Sequence, residues 1–144
     1  MKRGPELSTS VQVAAAPSRV WSVMMDLEHW PVWTPTVTGI RRMDEGPLRP
    51  GTRVRIRQPR LLPATWTTTE VHPDARFTWE TRGTGLTIVA SHAVEAAPGG
   101  SRVTLTLRFD GILGGFVAGL VRGFSQAYIE TEAAGLKRRC EVPA

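Results

Sequence analysis

The chain is poor in several residues that mark whole classes of protein. One cysteine in 144 residues, Cys140, excludes an internal disulfide and suits a reducing compartment. Three histidines stand far apart at His29, His72 and His92, so no metal-ligand cluster forms with that cysteine, and no metal or other cofactor is expected. There is one tyrosine, Tyr128, and there are two lysines, Lys2 and Lys137. The longest apolar run, Gly111 to Val121, stops at eleven residues between Asp110 and Arg122. A membrane span needs about 20, so no stable membrane insertion is expected. The charged start, Met1-Lys2-Arg3-Gly4-Pro5-Glu6, has no apolar stretch behind it. No secretory signal is therefore expected, and the expected location is the cytoplasm. No phosphate-cradling glycine loop joins a strand to a helix, and no Gly-x-Ser-x-Gly elbow is present.

What remains is an ordinary globular composition, 41% hydrophobic and 22% charged. The length suits one domain, large enough to hold a core without staples. Net charge is +5, and sixteen of the 18 basic residues are arginine. They are dispersed, with no run of five like charges and no exposed aromatics interleaved among Arg53, Arg55, Arg57 and Arg60. A nucleic-acid partner is not expected.

The first pattern is a short alternating strand, Ser10-Val11-Gln12-Val13. Pro17 then opens a helix, where its fixed ring angle is an advantage and its missing N–H costs nothing. Val20, Val23, Met24 and Leu27 share one face of it. Pro31 and Pro35 break the helix within Glu28–Pro35. From Thr36 to Asp110 the period changes to two. Strands are expected over Thr36–Met43, Thr52–Gln58, Ala64–His72, Arg76–Thr81, Leu86–Ala96 and Arg102–Phe109. Short turns rich in Gly and Pro separate them, which implies an antiparallel meander with one buried face. The last thirty residues read as a helix. Its apolar stripe is Leu113, Phe116, Val117, Leu120, Val121, Phe124, Ala127 and Tyr128. Gly115, Gly119 and Gly123 run beside the stripe and are expected to let the helix pack closely on the sheet. The order predicts an α+β chain: a strongly curved antiparallel sheet of about seven strands, two short helices after the first strand, and a long C-terminal helix. One helix cannot cover the whole concave face, so a cavity between helix and sheet is expected.

Several motifs carry a family resemblance in the same order. They are Val13-Ala14-Ala15-Ala16-Pro17-Ser18-Arg19-Val20-Trp21, Asp26-Leu27-Glu28-His29-Trp30-Pro31-Val32-Trp33, Gly51-Thr52-Arg53, Trp66-Thr67-Thr68-Thr69-Glu70-Val71, Phe77-Thr78-Trp79 and Gly100-Ser101-Arg102-Val103-Thr104. With the C-terminal helix they span about residues 8 to 140 and resemble the START-like (SRPBCC) superfamily. The resemblance is closest to the bacterial polyketide cyclase/dehydrase and lipid transport group. It implies a helix-grip fold and a hydrophobic ligand cavity. It implies no shared catalytic motif, since that superfamily holds carriers, receptors and cyclases alike.

His92 is the sharpest candidate residue, because it shares the apolar parity of Ile88, Ala90 and Val94. An imidazole facing a cavity can orient a ligand carbonyl or act as a general base. The alternative is a buried histidine satisfied by a neighbour. Tyr128, on the apolar stripe, is either a hydrogen-bond donor to a ligand or a core aromatic with its hydroxyl on backbone or solvent. Trp30 and Trp33, in the proline-broken segment, are expected at a mouth or lid. Trp79 shares parity with Phe77 and is expected inside. Trp66 lies on a strand with no clean apolar face, so its side is open. Gln58 shares parity with Val54 and Ile56 and adds a polar point to the wall. Ile88, Phe116, Leu120 and Phe124 complete the expected lining. Arg53, Arg55 and Arg57 take the other, solvated parity. Glu70 either pairs with one of them or faces the ligand. The leading expectation is binding of a small hydrophobic molecule (aromatic, polyketide-like or lipid-like) by a monomer or homodimer. The alternative is a cyclase or dehydratase in which His92 and Tyr128 move protons.

Overall fold

The structure, a computed structural model, describes residues 3–142. Strand β1 (Glu6–Val13) leads into helix α1 (Pro17–Met25), a single 3-10 turn (Leu27–His29) and the one-turn helix α2 (Trp30–Trp33). Strands β2 (Gly39–Arg42), β3 (Arg53–Arg57), β4 (Ala64–His72), β5 (Arg76–Gly83), β6 (Leu86–Ala97) and β7 (Gly100–Asp110) follow, and helix α3 (Gly114–Glu141) is the last element among the described residues. One antiparallel sheet holds the strands in the order β1-β7-β6-β5-β4-β3-β2. The six later strands thus form the meander that their punctuation implies, and β1 closes it by pairing with β7. No helix among the described residues is long and apolar enough to cross a membrane.

Strand β1 begins four residues earlier than its apolar alternation suggests. Its outer positions include Ser8 and Ser10, opposite Thr106 and Thr104 of β7, with Ser10 Oγ 3.0 Å from Thr104 Oγ1. Such cross-strand hydroxyl pairs support a strand that hydropathy alone does not show. Strand β2 is shorter than expected. Its first part is spent on a turn in which buried Thr34 and Thr36 bond to each other at 2.8 Å. In β4 the pairing with β5 shifts register between Thr68 and Glu70. This bulge flips the strand's parity: Trp66 and Thr68 are buried before it, and after it Val71 stands opposite the buried Phe77. The missing apolar face of β4 is therefore two half-faces joined at a bulge, which also sharpens the curvature of the sheet.

Helix α3 packs differently along its length. Its C-terminal half buries Ile129, Ala133, Leu136 and Cys140. Burial pushes the Cys140 thiol up to about 11, so it stays protonated and inert at neutral pH. In the N-terminal half the stripe that continues this buried face holds only Gly114, Ala118 and Ser125. The large residues Phe116 and Leu120 lie beside it and are exposed, at 68% and 70%. The expected stripe is therefore right along one edge only: Val117 and Val121 pack against the core, whereas Phe116 and Leu120 turn outward.

The glycine row is a second correction. Gly115, Gly119 and Gly123 are exposed and have no neighbouring atoms where a Cβ would sit, so they pack against nothing. The close approaches are elsewhere, at Gly114 against the Phe109 carbonyl and at Gly135 against the Trp33 carbonyl. Replacing the three exposed glycines by alanine is expected to raise stability by about 0.5–1 kcal/mol per site, through helix propensity alone. Urea denaturation of the triple variant measures this. A loss of stability would mean that the row does touch something.

Candidate functional site

The inner face of the sheet and α3 from Val117 to Glu132 enclose a cavity of about 250 Å³. Strands β3 to β7 supply Ile56, Trp66, Trp79, Ile88, Ala90, His92, Leu105, Leu107 and Phe109 to its wall. The helix supplies Val117, Val121, Phe124, Ser125, Tyr128, Ile129 and Glu132. Trp30 and Val37 reach it from the segment after α1, and Gln58 and Leu61 from the β3–β4 loop. Period two explains the sheet side: along β6, Ile88, Ala90 and His92 turn inward together.

His92 sits at the centre of this wall, between Phe77 on β5 and Leu105 on β7 in the sheet register. Its ring stacks on Phe77, with centroids 4.2 Å apart and planes within 3°. Trp79 meets it edge-on at 5.4 Å, and Trp30 tilts against it at 5.6 Å. Nε2 lies 3.5 Å from Oε2 of Glu132, and both side chains are largely buried. Nδ1 is buried and has no hydrogen-bond partner among the described residues. A half-satisfied imidazole inside an apolar chamber is unusual, since buried polar atoms are ordinarily paired.

Glu132 is a site residue that the sequence reading misses. A signal was available, because it lies four residues after Tyr128 and therefore on the same helix face. The structure brings Glu132, not Tyr128, against His92. The Tyr128 hydroxyl donates to the carbonyl of Pro59 and ties α3 to the β3–β4 loop. Its ring packs on Phe124, with centroids 4.4 Å apart.

Trp30 and Trp33 are not at a mouth or lid. Both are buried, and Trp30 Nε1 donates to the Met24 carbonyl at 3.0 Å. Pro31 and Pro35 bound a tight turn that folds inward, so the proline-rich segment is a plug of the core and not a loop over it. Trp30 reaches the cavity, whereas Trp33 packs behind it at 5.3 Å and does not line the space. Phe116 and Leu120 do not line it either, since they face outward. Gln58, Trp66, Trp79, Ile88, His92, Phe124 and Tyr128 do. The Trp66 Nε1 donor is buried without a partner among the described residues. Exposed Leu61 belongs to the wall, with the more exposed Leu62 beside it.

Outside the cavity several charges form pairs. Arg53 forms a bidentate pair with Asp44, and Arg55 and Arg57 are exposed as expected. Glu70 pairs with Arg76 at 2.8 Å, not with these arginines, and does not line the cavity. Burial opposes its ionisation, but hydrogen bonds from Thr78 and Arg76 outweigh burial and hold its pKa below the ordinary carboxylate range. Among the described residues no group of three His, Cys, Asp or Glu side chains stands together as a metal site would require.

Residues 5–141 match the family model described as polyketide cyclase / dehydrase and lipid transport. A search of curated proteins finds no match. Among solved structures, TTHA0849 from Thermus thermophilus shares 23% identity and superposes with a TM-score of 0.75, covering 94% of this chain and 97% of its own. A START superfamily protein from Mycobacterium smegmatis gives 15% identity and 0.73, with 97% and 98% covered. The Zhui aromatase/cyclase from a Streptomyces species gives 17% and 0.71, with 95% and 93% covered. At these identities the likeness is one of fold: the curved sheet gripping a long helix.

Proposed function

Because the chain belongs to the polyketide cyclase / dehydrase and lipid transport family, we propose that it takes one small apolar molecule into the cavity between its sheet and α3. The observation that carries this reading is the wall itself. Three tryptophans (Trp30, Trp66, Trp79), one phenylalanine from each side and several aliphatic side chains surround a space of about 250 Å³. Apolar cavities of roughly 150 Å³ hold benzene, and pockets for drug-sized ligands begin near 300 Å³. The size therefore favours a one- or two-ring aromatic, or a short acyl chain, over a long lipid. The tryptophans are rigid and make large contacts at low entropic cost.

The expected result is a saturable change in tryptophan emission on titration with 2-naphthol. Ala90→Leu and Val121→Phe, which add volume inside the wall, should weaken binding about tenfold while the folded state is retained. This corresponds to about 1.4 kcal/mol. No spectral or thermal shift with any one- or two-ring compound would overturn the reading.

A cyclase- or dehydratase-type reaction is the second reading, and the His92–Glu132 pair favours it. A carboxylate behind an imidazole orients the ring and stabilises the imidazolium that forms when it accepts a proton. In this reading His92 takes a proton from an enolisable carbon, Glu132 positions it, and Tyr128 stands near the β3–β4 loop as a hydroxyl bound to Pro59.

A further inference from the structure

Among the described residues Glu132 is the one carboxylate on the cavity wall, and neither lysine nor arginine lines the space. Supply is not the cause, since the chain carries 18 basic residues and a net charge of +5. Alternation places the β3 arginines on the outer face, so the wall is left with a single acid and a single imidazole. His92 and Glu132 lie 3.5 Å apart, and their side chains are 7% and 14% exposed. The carboxylate beside the imidazole cancels any positive charge that the ring could offer an anion. A ligand carboxylate or phosphate would bring another negative charge into a low-dielectric chamber without a cation to meet it. The unpartnered Trp66 N–H is a neutral dipole and does not offset that charge. A ligand hydroxyl or ammonium, by contrast, meets a carboxylate oxygen able to accept from it.

We infer that the cavity selects apolar ligands whose polar end donates a hydrogen bond, a hydroxy- or amino-substituted aromatic, and rejects the matching carboxylate. The inference rests on the cavity-binding reading and adds to it the polarity of the ligand.

The test is a matched series on one ring system: naphthalene, 2-naphthol, 2-naphthylmethylamine and 2-naphthoate, titrated at pH 7.5 with tryptophan emission and calorimetry as readouts. The wild type should bind the alcohol and the amine at least about tenfold more tightly than the carboxylate. In Glu132→Gln the amide keeps the shape and removes the charge. The carboxylate should then gain, the amine should lose, and the gap between them should shrink several-fold. Equal or tighter binding of 2-naphthoate by the wild type overturns the inference, as does an unchanged ratio in a folded Glu132→Gln protein. If that variant does not fold, the wild-type ratio decides alone. Failure of all four compounds, naphthalene included, overturns the cavity-binding reading and the inference with it. Binding of naphthalene with no discrimination among the other three overturns the inference only.

Discussion

Trp30→Ala is expected to lower the unfolding free energy by about 3–5 kcal/mol, the usual cost of removing a large aromatic from a packed core. Trp30 is 2% exposed and is among the largest fully buried side chains. Its ring contacts Trp33 and Trp79, with centroids at 5.3 and 5.6 Å, and the His92 ring at 5.6 Å. It joins α2 to the β5–β6 part of the sheet. Its removal empties a volume that these rigid neighbours cannot fill by small shifts. Trp30→Phe should cost less, but not nothing. The hydrogen bond to the Met24 carbonyl is lost, and a buried acceptor left alone costs about 1–3 kcal/mol. Equilibrium urea unfolding of the two variants gives both numbers. A loss below about 1 kcal/mol for alanine would restore the picture of a peripheral lid.

Gly135→Ala is the second large effect, and its sign is the informative part. In a free helix this change stabilises by about 0.5–1 kcal/mol, as expected for Gly115, Gly119 and Gly123. At position 135 the new methyl would collide with the carbonyl oxygen of Trp33 and lie 3.1 Å from its carbon. Backbone cannot step aside as a flexible side chain does, so α3 must move away from α2. The net change is expected to be a loss of about 1–3 kcal/mol. Glu132 lies one turn before Gly135, so the displacement also draws the carboxylate away from His92. The same substitution in one helix thus runs in opposite directions at positions 119 and 135. Thermal melts of the two single variants, side by side, check this. Stabilisation at both would show that α3 and α2 do not touch as described.

Much of the fold is legible because it is written in local periods and breaks. The alternation of β5 to β7, the two prolines after α1 and the Gly-Pro turns each act within a few residues, so they can be read without the rest of the chain. His92 is legible for the same reason, since its parity with Ile88, Ala90 and Val94 decides which way it points. Trp66 is not, because the bulge at Thr68–Glu70 arises from pairing with β5 and leaves only a blurred pattern in its own strand. Trp30 is misread because a proline-rich segment has two outcomes, a loop over a cavity or a plug within the core. The partners Met24, Trp33 and Trp79 choose between them. Glu132 escapes notice because it is one of three glutamates on α3, and such an acid looks solvated until the helix is docked.

By itself, then, the order of side chains determined a curved antiparallel meander, a long terminal helix and the inward parity of each regular strand. Backbone period and turn chemistry are short-range properties. The docking of α3 decided the rest. The core received Gly114, Ala118 and Ser125 from the first half of the helix, with Val117, Val121 and Phe124 beside them on the cavity wall. That choice sent Phe116 and Leu120 outward, brought Glu132 to His92 and shaped the chamber. It depends on the packing of several elements against one another at once, and no window of neighbouring residues contains it.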